Sequence, residues 1–126
     1  MKLGLFSPRA RVASFRHAFR GIVALFCTQP NVWLHALATV MVVFAGFLCR
    51  LSRFEWLWVV AAICAVWTAE ALNTALEFLA DAVSTDHHPR IGKAKDVAAA
   101  AVLVAAGGAA VIGAIIFWPH LRSWLF

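Results

Sequence analysis

The segment from Ala69 to Val83 reads AEALNTALEFLADAV, and its polar members are Glu70, Asn73, Thr74, Glu77 and Asp81. At about 100° per residue these five side chains fall within an arc of about 100°, so one side of a helix would be acidic along about three turns. The rest of the segment is apolar, and an Asp at the centre of a bilayer costs about 2.5 to 3.5 kcal/mol by insertion scales. Hydrogen bonding to other helices accounts for Asn73 or Thr74 alone; for three carboxylates on one face it is a weak explanation. Carboxylates along a face hold Mg²⁺, which prefers hard oxygen ligands and keeps phosphates and waters in its shell. One of them can also accept a proton from a hydroxyl.

The matching positive charges are Lys93 and Lys95, next to Asp96, at the entrance of the last apolar run. A Lys beside a helix N-terminus suits phosphate, because the free amides and the dipole point the same way. Acid for metal, base for phosphate and a position at the lipid surface point together to phosphoryl transfer onto a lipid hydroxyl. No phosphate-binding glycine loop or soluble-kinase signature is present, so the nucleotide is expected to be held in an unconventional way. The charges alone do not name the phosphate donor.

The elements that must position these groups are membrane spans. Of the 126 residues, 63% are hydrophobic and 13% charged, against roughly 25% charged in an ordinary soluble domain. Val32 to Leu51 carries no acidic side chain and is long enough to cross a hydrocarbon core of about 30 Å at about 1.5 Å per residue. Two further runs, from about Trp56 to Asp81 and from about Val97 to Trp118, complete three expected transmembrane helices (32–51, 56–81 and 97–118), with no Pro interrupting them until Pro119. The N-terminal MKLGLFSPR lacks the roughly 7 to 15 residue apolar stretch of a secretory signal, so the spans are expected to be retained.

Residues 9–28 form the expected surface helix. Val12, Phe15, Phe19, Ile22 and Phe26 lie within an arc of about 100°, flanked by Arg11 on one edge and Arg16 and Arg20 on the other. The alternative is a helix packed on the protein's own spans, and both can hold together. Gln29, Pro30 and Asn31 end it, since Pro lacks the amide proton a continuing helix needs. Residues 84–95 (STDHHPRIGKAK) combine Pro, Gly and charge, as in a cytoplasmic loop.

The fold class is therefore all-α and integral to the membrane, three transmembrane helices plus an N-terminal amphipathic helix in a single domain, 1–126. Lys2, Arg9, Arg11, Arg16, Arg20, Arg90, Lys93 and Lys95 fall on one side, and Arg50, Arg53 and Arg122 on the other. The excess places the N-terminus in the cytoplasm and the C-terminus outside. The net charge of +5 is explained by topology and anionic lipid, not by nucleic acid. Cys27, Cys49 and Cys64 match no metal or redox spacing and read as small apolar fillers. His87, His88 and His120 read as surface residues. Ala101, Ala105, Ala109 and Gly113 recur every fourth residue, a small-residue stripe that permits close helix approach, and an oligomer is expected.

Two rival functions compete with phosphoryl transfer. A non-enzymatic oligomer forming a small cation pathway lined by the acidic helix gives no reason for Lys95 and Asp96 at the membrane edge. A lipid phosphatase lacks a nucleophilic Cys or Ser-His arrangement to support it.

Glu70, Asn73, Thr74, Ala75 and Glu77 in their spacing, then Asp81, His88, the run Lys93-Ala94-Lys95-Asp96, and Ala99 followed by Ala101-Val102-Leu103 resemble the prokaryotic diacylglycerol kinase and undecaprenol kinase family over residues 15–119. The resemblance implies a homotrimer in the bacterial inner membrane, with active sites shared between protomers at the cytoplasmic face. It implies that the γ-phosphoryl group of MgATP passes to the hydroxyl of a lipid alcohol, diacylglycerol or undecaprenol. Glu70 would be the catalytic base and Asn73 would help position substrate. Glu77 would be a Mg²⁺ ligand, Lys95 would contact the ATP phosphates, and Asp81, Asp96 and Lys93 would belong to the nucleotide site. Where the family usually has an acidic second metal ligand before the first span, this sequence has Gln29, whose carbonyl coordinates without charge. Asn31 and His35 resemble the undecaprenol kinase branch. His35 is read either as a substrate contact or as a group paired within the bundle.

Overall fold

The computed structural model describes residues 7–84, 86 and 88–125. Lys2, the rest of the N-terminal hexapeptide and His87 lie outside the described residues. Among the described residues four helices follow one another: α1 Pro8–Thr28, α2 Pro30–Leu48, α3 Arg53–Val83 and α4 Pro89–Leu125. The chain is all-α, and α2, α3 and α4 are each long and apolar enough to cross a membrane.

Proline sets the α1–α2 joint. A residue before Pro is driven out of the helical region, and Gln29 accordingly lies at φ −114°, ψ 110° while serving as both the C-cap of α1 and the N-cap of α2. Its amide donates to the Leu25 carbonyl at 3.0 Å, and its carbonyl accepts from Val32 at 3.2 Å. Pro30 then opens α2, where its missing N–H costs nothing. Phe26 fixes the joint from the α1 side: its ring lies 5.2 Å from Trp33 and 5.8 Å from Trp67 between centroids. The remainder of α1 buries no residue, and Val12, Phe15, Phe19 and Ile22 stay exposed.

The α2–α3 turn is a Schellman motif. Leu51 N–H donates to the Gly46 carbonyl at 3.1 Å and Arg50 N–H to that of Phe47 at 3.2 Å, with Arg50 in the left-handed region at φ 52°. Ser52 and Glu55 form a capping box at the start of α3. Leu51, Val59 and Ile116 are buried just beyond, packed by Trp56, Ile112 and Phe117. His120 joins this end of the bundle, its Nε2 lying 2.9 Å from Glu55 Oε1.

The structure corrects two boundaries. Helix α4 begins at Pro89, inside the expected loop 84–95. The helix start is built locally: the His88 carbonyl accepts from Gly92 at 3.0 Å and its Nδ1 accepts from the Arg90 amide at 3.3 Å, with Pro89 suited to the first helical position. Nor does α4 end before Pro119; it continues to Leu125. The missing amide removes one ladder bond, which long membrane helices tolerate, and the His120–Glu55 contact holds the continuation on α3.

Apolar side chains face outward along every helix. Phe15, Phe44, Phe54, Leu79, Leu103 and Val104 are all more than half exposed, Val104 at 75%. A water-soluble monomer rarely shows apolar area on that scale, so lipid or further protein must cover it. The polar exceptions are inside: Glu70, Asn73 and Thr74 are buried in α3.

Candidate active site

The polar face of α3 meets the Gln29 joint, because α2 begins where α3 ends. Gln29 Nε2 donates to Glu77 Oε2 at 3.0 Å, and Asn73 Nδ2 donates to Glu77 Oε1 at 3.2 Å. Both oxygens of one carboxylate are thus held by neutral amides, one across helices and one from the preceding turn. The i, i+4 spacing of Asn73 and Glu77 makes the second contact a local consequence of sequence. The first depends on the Pro30 joint.

One turn on from Asn73 in the other direction, the arrangement changes. Glu70 is 2% exposed, and its nearest cationic candidate is His35, Nε2 to Oε2 at 3.6 Å. That separation is too long for a hydrogen bond. Glu70 Oε1, Asn73 Oδ1 and Thr74 Oγ1 are buried without a partner. Buried polar groups left unpaired cost about 1 to 3 kcal/mol each, so three together on one face mark a place where another polar group belongs. His35 is steadied through its backbone: Thr39 Oγ1 donates to the His35 carbonyl at 2.7 Å and accepts from Trp67 Nε1 at 3.0 Å.

Toward the end of α3, Lys95 Nζ donates to Asp81 Oδ1 at 2.6 Å, both side chains being substantially exposed. Exposed pairs of this type contribute little to stability, and Lys95 is available for exchange onto another anion. Lys93 and Arg90 lie at one end of a groove of about 1020 Å³ between α3 and α4 that also reaches Asn73. Asp96 is exposed on α4.

The fold therefore brings Gln29, Asn73 and Glu77 into one cluster, joins Asp81 to Lys95, and sets His35 beside Glu70. It brings Asp96 to none of these groups through a hydrogen bond or ion pair among the described residues. Gln29, expected as a metal ligand, donates its amide nitrogen to Glu77. His88, expected as a surface residue, caps α4, and Pro89 is the signal in the sequence that marks this helix start.

The cluster has the chemistry to hold a hard divalent cation with help. Among the described residues no group of three or more His, Cys, Asp or Glu is assembled as a metal site. Glu77 supplies the one carboxylate, and rotation of the two amides presents the carbonyls of Gln29 and Asn73 in place of their nitrogens. Sites for Mg²⁺ commonly use one or two carboxylates and complete the shell with substrate phosphates. A lone Glu77 with two amide oxygens fits that pattern.

Residues 16–117 match the family described as prokaryotic diacylglycerol kinase. An undecaprenol kinase of Bacillus subtilis is 43% identical over 108 residues, covering 86% of this chain and 88% of the relative. A diacylglycerol kinase of Synechocystis is 37% identical over 113 residues, covering 89% of this chain and 65% of the relative. A diacylglycerol kinase of Escherichia coli K12 is 24% identical over 104 residues, 82% of this chain and 85% of its own.

Proposed function

This chain belongs to the prokaryotic diacylglycerol kinase family and is a membrane lipid kinase that uses ATP, and from that premise we propose that it phosphorylates undecaprenol, with MgATP as donor. The observation that carries the proposal is the buried Glu70, with one oxygen unpartnered, on the same helix face as the amide-held Glu77. The greater identity to an undecaprenol kinase than to the diacylglycerol kinases compared above supports the acceptor. Asn31 and His35 support it as well.

In the proposed reaction Glu70 takes the proton from the lipid hydroxyl. The freed oxygen bonds to the γ-phosphorus, the bond from that phosphorus to the bridging oxygen breaks, and ADP leaves. Asn73, buried on the same helix face as Glu70, orients the acceptor. Lys95 exchanges Asp81 for the ATP phosphates, and Lys93 and Asp96 complete the nucleotide site with Asp81. Glu77, with Gln29 and Asn73, would hold Mg²⁺, which would supply charge neutralisation on the transferring phosphoryl group. Burial strengthens each of these interactions by excluding water.

The assembly is a homotrimer in the bacterial inner membrane, N-terminus cytoplasmic and C-terminus outside. Helix α1 lies at the cytoplasmic surface with Val12, Phe15, Phe19 and Ile22 in lipid, which accounts for their exposure. Purified protein incubated with labelled ATP and Mg²⁺, and separately with undecaprenol and diacylglycerol, tests the acceptor. Label is expected in undecaprenyl phosphate; label in phosphatidic acid alone overturns the assignment.

A further inference from the structure

Helix α1 is a cationic rod anchored at its C-terminal end. It carries Arg9, Arg11, Arg16 and Arg20 and no Asp or Glu, and the first acidic residue of the chain is Glu55. All four arginines are exposed, and among the described residues none of them enters an ion pair. At about 100° per residue Arg9, Arg16 and Arg20 fall within an arc of about 40°, directly beside the apolar arc of Val12, Phe15, Phe19 and Ile22, and form a row about 16 Å long. The last turn is tied to the spans: Trp33 Nε1 donates to the Phe26 carbonyl at 3.2 Å, and the Phe26 ring meets Trp33 and Trp67. Gln29, the C-cap of this same helix, donates to Glu77.

A row of unpaired arginines bordering an exposed apolar face matches a surface that is hydrocarbon on one side and phosphate on the other. Phospholipid with net negative charge complements it, because guanidinium groups pair with phosphate in bidentate fashion and each Lys or Arg beside an anionic leaflet gains about fivefold in binding. The α1 of a second copy, bearing no acid, would repel it. We propose that α1 docks on anionic phospholipid through Arg9, Arg16 and Arg20, and that this docking holds the Gln29 amide against Glu77, so that the rate of the enzyme follows the surface charge of its leaflet. A rod tied at one end pivots about the tied turn, and the residue that moves with that turn is Gln29. The coupling to rate rests on the lipid kinase reading, whereas the docking does not.

Full-length protein is placed in vesicles of phosphatidylcholine alone or with phosphatidylglycerol added. Hydrogen exchange of the α1 amides and kcat at saturating MgATP and lipid alcohol are measured in each. Phosphatidylglycerol is expected to slow exchange across residues 9–20 by about fivefold or more and to raise kcat severalfold. A negative surface acting on its own repels MgATP, which raises its KM and leaves kcat no higher, so a gain in kcat is the signature of α1. Arg9→Gln, Arg16→Gln and Arg20→Gln combined are expected to abolish both responses and to leave the values in phosphatidylcholine unchanged. The same three positions changed to Lys keep the charge and are expected to retain both. Exchange or kcat that is indifferent to phosphatidylglycerol in an active enzyme overturns the proposal, as does a Gln variant that responds like the unaltered chain. A second copy covering α1 would protect it equally in both vesicles, which also overturns it. Charge-dependent protection without phosphorylation of any lipid in either vesicle would instead reject the kinase reading and leave the docking standing.

Discussion

Glu77 accepts from two amides, whereas Glu70 accepts no hydrogen bond among the described residues, a difference that supports the separate roles proposed for them. A carboxylate surrounded by donors is a fixed ligand; one with a free buried oxygen is placed to take a proton. Replacing Glu70 by Gln keeps the shape and removes the base, so lipid phosphorylation is expected to fall by about 100-fold or more while oligomer size on gel filtration is retained. Full activity in that variant would remove Glu70 from the reaction. Gln29→Glu changes the opposite property, replacing an amide donor 3.0 Å from Glu77 with a second carboxylate. Like charges at that distance repel until a cation joins them, so Mg²⁺ binding is expected to tighten by about tenfold or more, as read by calorimetric titration. An unchanged titration separates Gln29 from the metal. The acidic face was legible in the sequence because helical periodicity alone aligns residues 70, 73, 77 and 81. The donors around Glu77 were only half legible: Asn73 follows from i, i+4 spacing, while Gln29 reaches Glu77 only through the turn of chain that Pro30 imposes.

At the level of elements, close backbone approach and special dihedrals locate the sensitive points. Gly46 lies under Trp56, and a Cβ there would stand 2.7 Å from Cη2 and 2.8 Å from Cζ2 of the indole. Gly46→Ala therefore forces the ring or α2 to move, an overpacking cost of about 1 to 3 kcal/mol that should lower the midpoint of thermal unfolding in detergent. Arg50 is the reverse case. It holds φ 52°, where a Cβ is strained and Gly is not, so Arg50→Gly is expected to stabilise the turn by up to about 1 kcal/mol in the same measurement. A decrease would show that the Arg50 side chain contributes more than its backbone costs. The spans were legible because an apolar run of bilayer length has few alternatives. The start of α4 was not, since Pro, Gly and charge in residues 84–95 signal a loop as readily as a helix opening. What decided it was the cap supplied by His88. Pro119 misled for a related reason: it weakens a helix locally, but contacts such as Glu55 with His120 hold the helix beyond it.

For the molecule as a whole, the balance of polar and apolar surface is inverted relative to a soluble protein. Among the described residues only a few side chains are buried, three of them polar, and large apolar side chains lie exposed along every helix. Lipid covers such a surface, and so does a neighbouring protomer. Among the described residues Lys95 meets Asp81 within one chain but no hydrogen bond or ion pair joins Asp96 to the Glu77 cluster, which is compatible with the proposal of an active site completed by a second copy. A site shared in this way has a consequence for mixtures of inactive variants. Under the proposed roles Glu70→Gln lacks the base and Lys95→Ala lacks the phosphate contact, and if each site draws these residues from different protomers, co-assembly restores some intact sites. Random mixing of equal amounts, after exchange of subunits in detergent, is therefore expected to recover a measurable fraction of unaltered activity where neither variant alone has it. Sites contained within one protomer give no recovery at any mixing ratio, because every chain then carries its own defect. Measuring lipid phosphorylation across mixing ratios distinguishes the two arrangements, and chemical cross-linking of the mixtures verifies that the subunits exchanged.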